Sequence, residues 1–357
     1  MNILHISRTM GQGGAEKVVY QICKDSENKM VIASTGGTYE NELQKINVKH
    51  YTIPDINNKN PLLMIKTFFI LNKTIKKEKI DIVHSHHRMA AFYARVLNIF
   101  NKKFKRVYTA HNVFNDKKKL LRFSLTNSTI VAVGDGVKNN LVNYYGIDSN
   151  KIKIIYNSVD VPKKINIPND DFIINKKNNI YIGTIGRLSE QKGIDVFLKA
   201  MSRVIHNNKN IYGIIIGDGE LKEELIKLTK KSEIEDNVIF LGYRKDVIEI
   251  IHCMDFIVLS SRWEGFPLTP IETFSQAKTI IVSDIDGNNE IVQDKKNGLL
   301  FEKDNIDDLQ DKIYYLINNK DELKKLEEGS FKSYNNNYSY EKFIRNYINL
   351  YERLYKE

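Results

Sequence analysis

Arg187 and Lys192 lie just inside the glycines Gly186 and Gly193 in the run Gly183-Thr184-Ile185-Gly186-Arg187-Leu188-Ser189-Glu190-Gln191-Lys192-Gly193, which begins as the end of an apolar strand. A strand end that delivers two cations beside glycines suits a diphosphate, because fixed cations neutralise the charge that builds on a leaving nucleoside diphosphate. Scattered surface cations are the competing reading. A second run, Ser260-Ser261-Arg262-Trp263-Glu264-Gly265-Phe266-Pro267-Leu268-Thr269-Pro270-Ile271-Glu272, places two carboxylates with seven residues between them across a Gly-Phe-Pro turn where a strand gives way to a helix. For Glu272 a structural role is available: Thr269, Pro270 and Glu272 fit a capping box with proline at the first helical position. Capping leaves Glu264 and the bulky Trp263 and Phe266 without an explanation.

A third run, Met10-Gly11-Gln12-Gly13-Gly14-Ala15-Glu16, follows the first apolar segment and precedes an amphipathic helix. Gly13 and Gly14 would let the backbone approach a phosphate at the helix N-terminus, or would simply serve a tight strand-to-helix turn. The dinucleotide fingerprint is absent, since Glu16 occupies the place of its third glycine. That weighs against a nicotinamide-dependent oxidoreductase. His111, in Tyr108-Thr109-Ala110-His111-Asn112, ends another strand, and an isolated histidine is ordinarily a core or surface residue.

Positioning these groups requires parallel sheets. Short β-branched runs alternate with helix-length amphipathic segments, in two series. The first comprises Asn2–Ser7, Met30–Thr35, His50–Pro54, Ile82–His86, Val107–His111, Ile130–Val133 and Ile152–Tyr156. The second comprises Ile180–Ile185, Tyr212–Ile216, Val238–Leu241, Phe256–Ser260 and Thr279–Ser283. Residues 161–179, with two prolines and no sustained apolar period, read as the linker. The expected domains are therefore 1–165 and 166–337, with a last helix over 338–357 folding back onto the first. In open parallel sheets, ligands bind beyond the carboxyl ends of the strands, where all the runs above lie.

The chain has 357 residues, enough for two cores of ordinary size. Its 42% hydrophobic and 27% charged residues exclude a disordered or membrane-spanning class. Cys23 and Cys253, far apart and without zinc-ligand spacing, make disulfides and structural zinc unexpected. No leader pattern precedes the first strand, so a cytoplasmic protein is expected. The net charge of +10 is uneven: residues 1–165 carry 27 Lys and Arg against 12 Asp and Glu, while residues 166–357 carry 27 against 32. Its densest basic segments, 73–79, 102–106 and 114–123, are candidates for docking on an anionic membrane surface, with a solvated lysine-rich face as the plain reading. Nucleic-acid binding has charge alone in its favour and is not expected.

Taken together, Gly13-Gly14-Ala15-Glu16, the Gly186-Arg187-Leu188 and Lys192-Gly193 pair, Gly217-Asp218-Gly219 and the Glu-x7-Glu segment resemble the retaining GT-B glycosyltransferase family called GT4, from residue 2 to the last helix. The resemblance implies two Rossmann-like α/β domains with parallel sheets facing across a cleft, and transfer of a hexose or N-acetylhexosamine from a UDP- or GDP-sugar to a glycan or lipid-linked acceptor. Bacterial surface polysaccharide synthesis is the expected setting. By the same resemblance Glu272 would hold the donor ribose, and Glu264 the transferred sugar, aided by the backbone of Gly265, Phe266, Pro267 and Leu268. Arg187 and Lys192 would grip the diphosphate beside Gly186 and Gly217, Gly13 and Gly14 would close over it, and Tyr243 and Arg244 would border the base. His111 would position and polarise rather than attack, while His84, His86 and His87 match a cleft-lining segment. No metal or other cofactor is implied, because fixed cations and helix N-termini stabilise the leaving group. Asp284-Ile285-Asp286 superficially matches a metal-binding pair of another glycosyltransferase fold, but it precedes Gly287 and a helix start and reads as a loop. A non-catalytic nucleotide-sugar-binding partner of another transferase is the alternative.

Overall fold

The computed structural model describes residues 1–11, 13–101, 103–170, 173 and 179–357. Gln12 of the first glycine run, Lys102 of the 102–106 segment and much of the expected linker lie outside these described residues. Two compact units emerge: 1–157 together with 340–357, and 158–339. The boundary falls before the expected 165 because Val159 is fully buried and the Ser158 hydroxyl donates to the Tyr338 carbonyl at 2.5 Å, tying this stretch to the second unit.

In the first unit the strands are β1 (Asn2–Ile6), β2 (Lys29–Ser34), β3 (Lys49–Thr52), β4 (Ile82–Ser85), β5 (Lys105–Ala110), β6 (Thr129–Ala132) and β7 (Ile152–Ile154). They pair in the order β3-β2-β1-β4-β5-β6-β7, parallel throughout. Side chains alternate between two buried faces, as a sheet covered by helices on both sides requires. Ile3, Ile82 and Val107 pack with Val18, Ile22 and the last helix, Tyr340–Lys356, whereas Leu4, Ile6 and Val83 pack with Leu71, Ile75, Ala90 and Ala94 from the helices Pro61–Lys77 and Arg88–Phe100.

The second unit contains β8 (Ile180–Ile185), β9 (Ile211–Ile216), β10 (Val238–Gly242), β11 (Phe256–Leu259), β12 (Ile280–Ser283) and β13 (Leu299–Phe301), ordered β10-β9-β8-β11-β12-β13 and again parallel. Phe197, Met201, Leu309 and Ile313 fill one side of it. β13 is not among the strands expected from sequence, because its three residues are too few to show a period. Both sheets reverse their winding direction at one point, between β1 and β4 and between β8 and β11. Connections there leave toward opposite faces and open a crevice at the strands' carboxyl ends.

Candidate active site

In the second unit, the loops after β8, β9, β11 and β12 lock together through backbone contacts that only glycine permits. Gly217 (φ +141°) lies so close to Gly186 that a Cβ would sit 1.9 Å from its carbonyl oxygen, and a Cβ on Gly193 (φ +58°) would meet the Ser260 carbonyl at 2.1 Å. Both conformations disfavour L side chains. Arg262 reinforces the frame: its amide donates to the Gln191 carbonyl at 2.7 Å, and its guanidinium grips Asp195.

This frame brings Lys192 and Glu264 together. The Lys192 Nζ lies 2.5 Å from the Glu264 Oε1, which also accepts from the Ser261 hydroxyl at 2.7 Å, and both side chains are largely buried. Gly265, Phe266, Pro267 and Leu268 lead into the buried helix Thr269–Ser275, which carries Glu272 on its first turn. The capping box that offered a structural role for Glu272 is not formed. Leu268 is the N-cap, without a side-chain cap, and Thr269 is already helical, so capping does not account for a buried Glu272.

Arg187 is placed differently. Its guanidinium is exposed and pairs with Glu220 at 3.1 Å rather than joining Lys192 and Glu264. Arg244 is committed to two carboxylates, Asp170 at 2.9 and 3.0 Å and Asp246 at 2.8 and 2.6 Å, which hold its pKa above the ordinary arginine value. Tyr243, beside it in that loop, is exposed. Asp284 accepts from Asn289, and a Cβ on Gly287 would come within 2.6 Å of the Gly265 carbonyl, so this segment braces the Glu264 turn. Ser283 and Asn288 complete the brace through bonds to the Ser261 carbonyl and to Ser283.

In the first unit, Gly13 is the N-cap of the helix Gly14–Lys24, and Glu16 turns back to accept from Thr9 at 2.6 Å. His111 joins a histidine cluster built by strand alternation. On the face of the sheet under the last helix, β1 reads Ile3 then His5, β4 reads Ile82 then His84 and on to His86, and β5 reads Val107, Thr109 and then His111. Apolar residues thus give way to imidazoles toward the carboxyl ends. His5 Nδ1 lies 2.9 Å from His86 Nε2, and His86 Nδ1 lies 3.1 Å from His111 Nε2. His84 bonds Tyr351 and Thr109 at 2.7 Å each. Burial disfavours the charged forms and pushes His5 down to about 3 and His111 to about 4, with His84 and His86 also well below the usual value. His87 differs in being the N-cap of the helix Arg88–Phe100 and accepting from the Met89 amide.

The ligand-capable atoms of His5, His84 and His86 lie within 4.8 Å of one another. Yet both nitrogens of His84 face hydroxyls and both of His86 face other imidazoles, leaving only His5 Nε2 uncommitted among the described residues. The trio fits a hydrogen-bonded network better than a set of metal ligands.

Two family models together span most of the chain: "Glycosyl transferases group 1" matches residues 166–333 and "Glycosyltransferase Family 4" matches residues 12–163. The chain belongs to this family. Among similar proteins, the Escherichia coli UDP-Gal:alpha-D-GlcNAc-diphosphoundecaprenol alpha-1,3-galactosyltransferase is 29% identical, over 73% of this chain and 72% of its own length. A Campylobacter jejuni N-acetylgalactosaminyltransferase named for a diphospho-undecaprenol substrate is 24% identical, over 83% and 85%. Two solved structures share the GT-B fold at a TM-score of 0.85: a Rickettsia africae glycosyltransferase (24% identity, 100% of this chain and 99% of that one) and Anabaena HepE in complex with UDP (18%, 99% and 100%).

The surface of the first unit corrects the membrane expectation in detail. Arg106 is buried and donates to the Ser124 and Thr126 carbonyls, and Phe104 and Leu121 face inward, so these cannot meet a bilayer. The strongly exposed apolar residues lie elsewhere. Leu62 (75% exposed), Ile65 and Phe69 (63%) form a stripe along the helix Pro61–Lys77, beside Phe100 (78%), whose ring packs edge-on to Phe68. Their spacing of three and four residues is a signal that counting charges overlooks. Among the described residues, no helix is long and apolar enough to cross a membrane.

Proposed function

We propose that this glycosyltransferase moves a hexose or N-acetylhexosamine, with retention of configuration and without a divalent metal, from a UDP-sugar to a polyprenyl diphosphate-linked glycan during surface polysaccharide synthesis. The observation that carries the reading is the buried Lys192–Glu264 pair, held by Ser261 at the carboxyl ends of β8 and β11. A lysine held there can exchange its carboxylate partner for an arriving diphosphate, leaving Glu264 free to accept from sugar hydroxyls. Arg187 is exposed and needs only to leave Glu220 to reach phosphate, and buried Glu272 offers a carboxylate to the ribose. His111, just past β5 in the first unit, carries a nitrogen that can polarise a ligand oxygen. The names of the galactosyltransferase and the N-acetylgalactosaminyltransferase support the acceptor, and the UDP complex of HepE supports the nucleotide. Such acceptors reside in membranes, and the apolar stripe on the Pro61–Lys77 helix supports peripheral attachment at the cytoplasmic face.

Incubating the purified protein with UDP-sugars and a short-chain polyprenyl diphosphate saccharide in EDTA tests the reading. Transfer that keeps the donor's α configuration, seen as an equatorial anomeric proton in the product, is expected. Lys192→Ala is expected to lower kcat roughly 10²-fold, and Glu272→Ala to weaken UDP binding. Unchanged UDP affinity in both variants would show that the site is misplaced.

A further inference from the structure

We propose that His5 and His86, without touching a ligand, fix His111 as a neutral imidazole that presents an N–H from Nδ1.

Three neutral imidazoles carry three ring protons, and the two His–His contacts each consume one. The third must lie at an end of the chain, and both end nitrogens, His5 Nε2 and His111 Nδ1, are enclosed and unpartnered among the described residues. Two arrangements satisfy both contacts. In one, His5 Nδ1–H donates to His86 Nε2 and His86 Nδ1–H donates to His111 Nε2, so His111 carries its own proton on Nδ1. In the other every bond is reversed, and His5 carries an N–H on Nε2.

The fold separates them. His5 is fully buried within the sheet beneath Tyr351, 6.4 Å from that ring, whereas His111 lies beyond the end of β5 and is only half-buried. An N–H stranded beside His5 would forfeit a hydrogen bond permanently, and orphaned buried N–H groups are rarer than unsatisfied acceptors. At His111 the same N–H needs only a small shift, or an arriving oxygen, to be satisfied. The chain is thereby polarised outward from β1 through β4 to β5. His84 holds the stack in place: its ring lies 4.0 Å from that of His86, and its two nitrogens are tied to Tyr351 and Thr109. A ring fixed this way donates to a sugar or acceptor oxygen but cannot accept a proton at that face. His111 is therefore a donor and not a general base. This deepens the role given to His111 under the proposed function and rests on it only for the identity of the ligand.

Long-range proton–nitrogen NMR on the full chain labelled with 15N-histidine tests the inference at pH 7, with and without UDP-glucose. His111 is expected to be neutral and protonated at Nδ1 in both conditions. His86→Leu removes the donor to His111 Nε2 and is expected to shift the ring toward the Nε2–H form. His86→Gln, whose amide both accepts and donates, is expected to restore Nδ1–H. If turnover is measurable, His86→Leu lowers kcat about tenfold, following the depopulated tautomer, with donor KM little changed. A His111 protonated at Nε2 in the native chain, a tautomer indifferent to His86→Leu in a folded variant, or stoichiometric zinc bound by the three histidines would overturn it. The tautomer is read without turnover, so a protein that transfers no sugar yet shows Nδ1–H dependent on His86 would defeat the proposed function and leave the histidine linkage standing.

Discussion

Burying neutral histidines links stability to pH. The unfolded chain titrates His5 and His111 near 6.5, while the folded chain holds them near 3 and 4. Between those values the unfolded state binds protons that the folded state refuses, so stability is whole above about pH 6.5 and falls as the pH drops toward 4. At about 1.4 kcal/mol per pH unit for each group, His5 alone removes roughly 2–3 kcal/mol by pH 4.5. Glu78 acts in the same direction, but at lower pH. Lys29, Tyr51 and Lys49 hold its pKa near 2, so its contribution is lost only below the ordinary carboxylate range. The thermal midpoint of the first unit should therefore decline between pH 7 and 5, and a midpoint flat across that interval would contradict neutral burial. Sequence made part of this visible. Gly186, Lys192 and the Glu-x7-Glu segment are contiguous runs whose spacing announces a turn at a strand end. His5 gave no such sign, because a single histidine in an apolar strand acquires meaning only when β4 and β5 place His86 and His111 beside it. Arg187 and Arg244 show the converse: residue type announced cations, but their partners, Glu220, Asp170 and Asp246, depend on loop paths that spacing does not determine.

The last helix shows how one element supports a site it does not line. Phe343, Tyr347, Leu350, Tyr351 and Leu354 recur at helical spacing and are buried against β1, β4 and β5. That amphipathic period was readable, as was the return of the helix to the first unit, but the use of its tyrosines was not. The Tyr351 hydroxyl meets His84 Nδ1 at 2.7 Å and the Tyr347 hydroxyl meets Thr109 at 3.3 Å, so the helix closes the hydrogen bonds of the histidine layer while sealing the core. Tyr351→Phe keeps the packing and orphans one nitrogen of His84, which should cost about 1–3 kcal/mol. Thermal unfolding checks this, and a midpoint equal to the native value would mean that His84 finds another partner. The strands were legible for a related reason: parallel strands buried on both faces read as continuous apolar runs. β13 escaped because Leu299–Phe301 is too short to display one.

At the scale of the whole molecule, charge and apolar exposure fall on the same unit. No Asp or Glu occurs between Ile82 and Asn115, while that stretch supplies Arg88, Arg95, Lys102, Lys103, Lys105 and Arg106. The exposed Leu62, Ile65 and Phe69 lie on the helix that precedes this stretch and the exposed Phe100 on the helix within it, with Lys66 and Lys73 exposed on the same turns as the first three. Each apolar side chain that enters the interface contributes about 1.5–3 kcal/mol, and each lysine near an anionic surface about 1 kcal/mol. Salt screens only the second contribution. The chain should therefore co-sediment with vesicles containing phosphatidylglycerol, bind phosphatidylcholine vesicles weakly, and retain part of its affinity in 0.5 M salt. Replacing Leu62, Phe69 and Phe100 by serine should reduce binding at least tenfold while leaving UDP-dependent thermal stabilisation intact, because these residues belong to the first unit and the Lys192–Glu264 pair to the second. Vesicle binding that vanished at high salt, or that survived the triple replacement, would mean that lysines alone hold the surface and that the apolar stripe serves another partner.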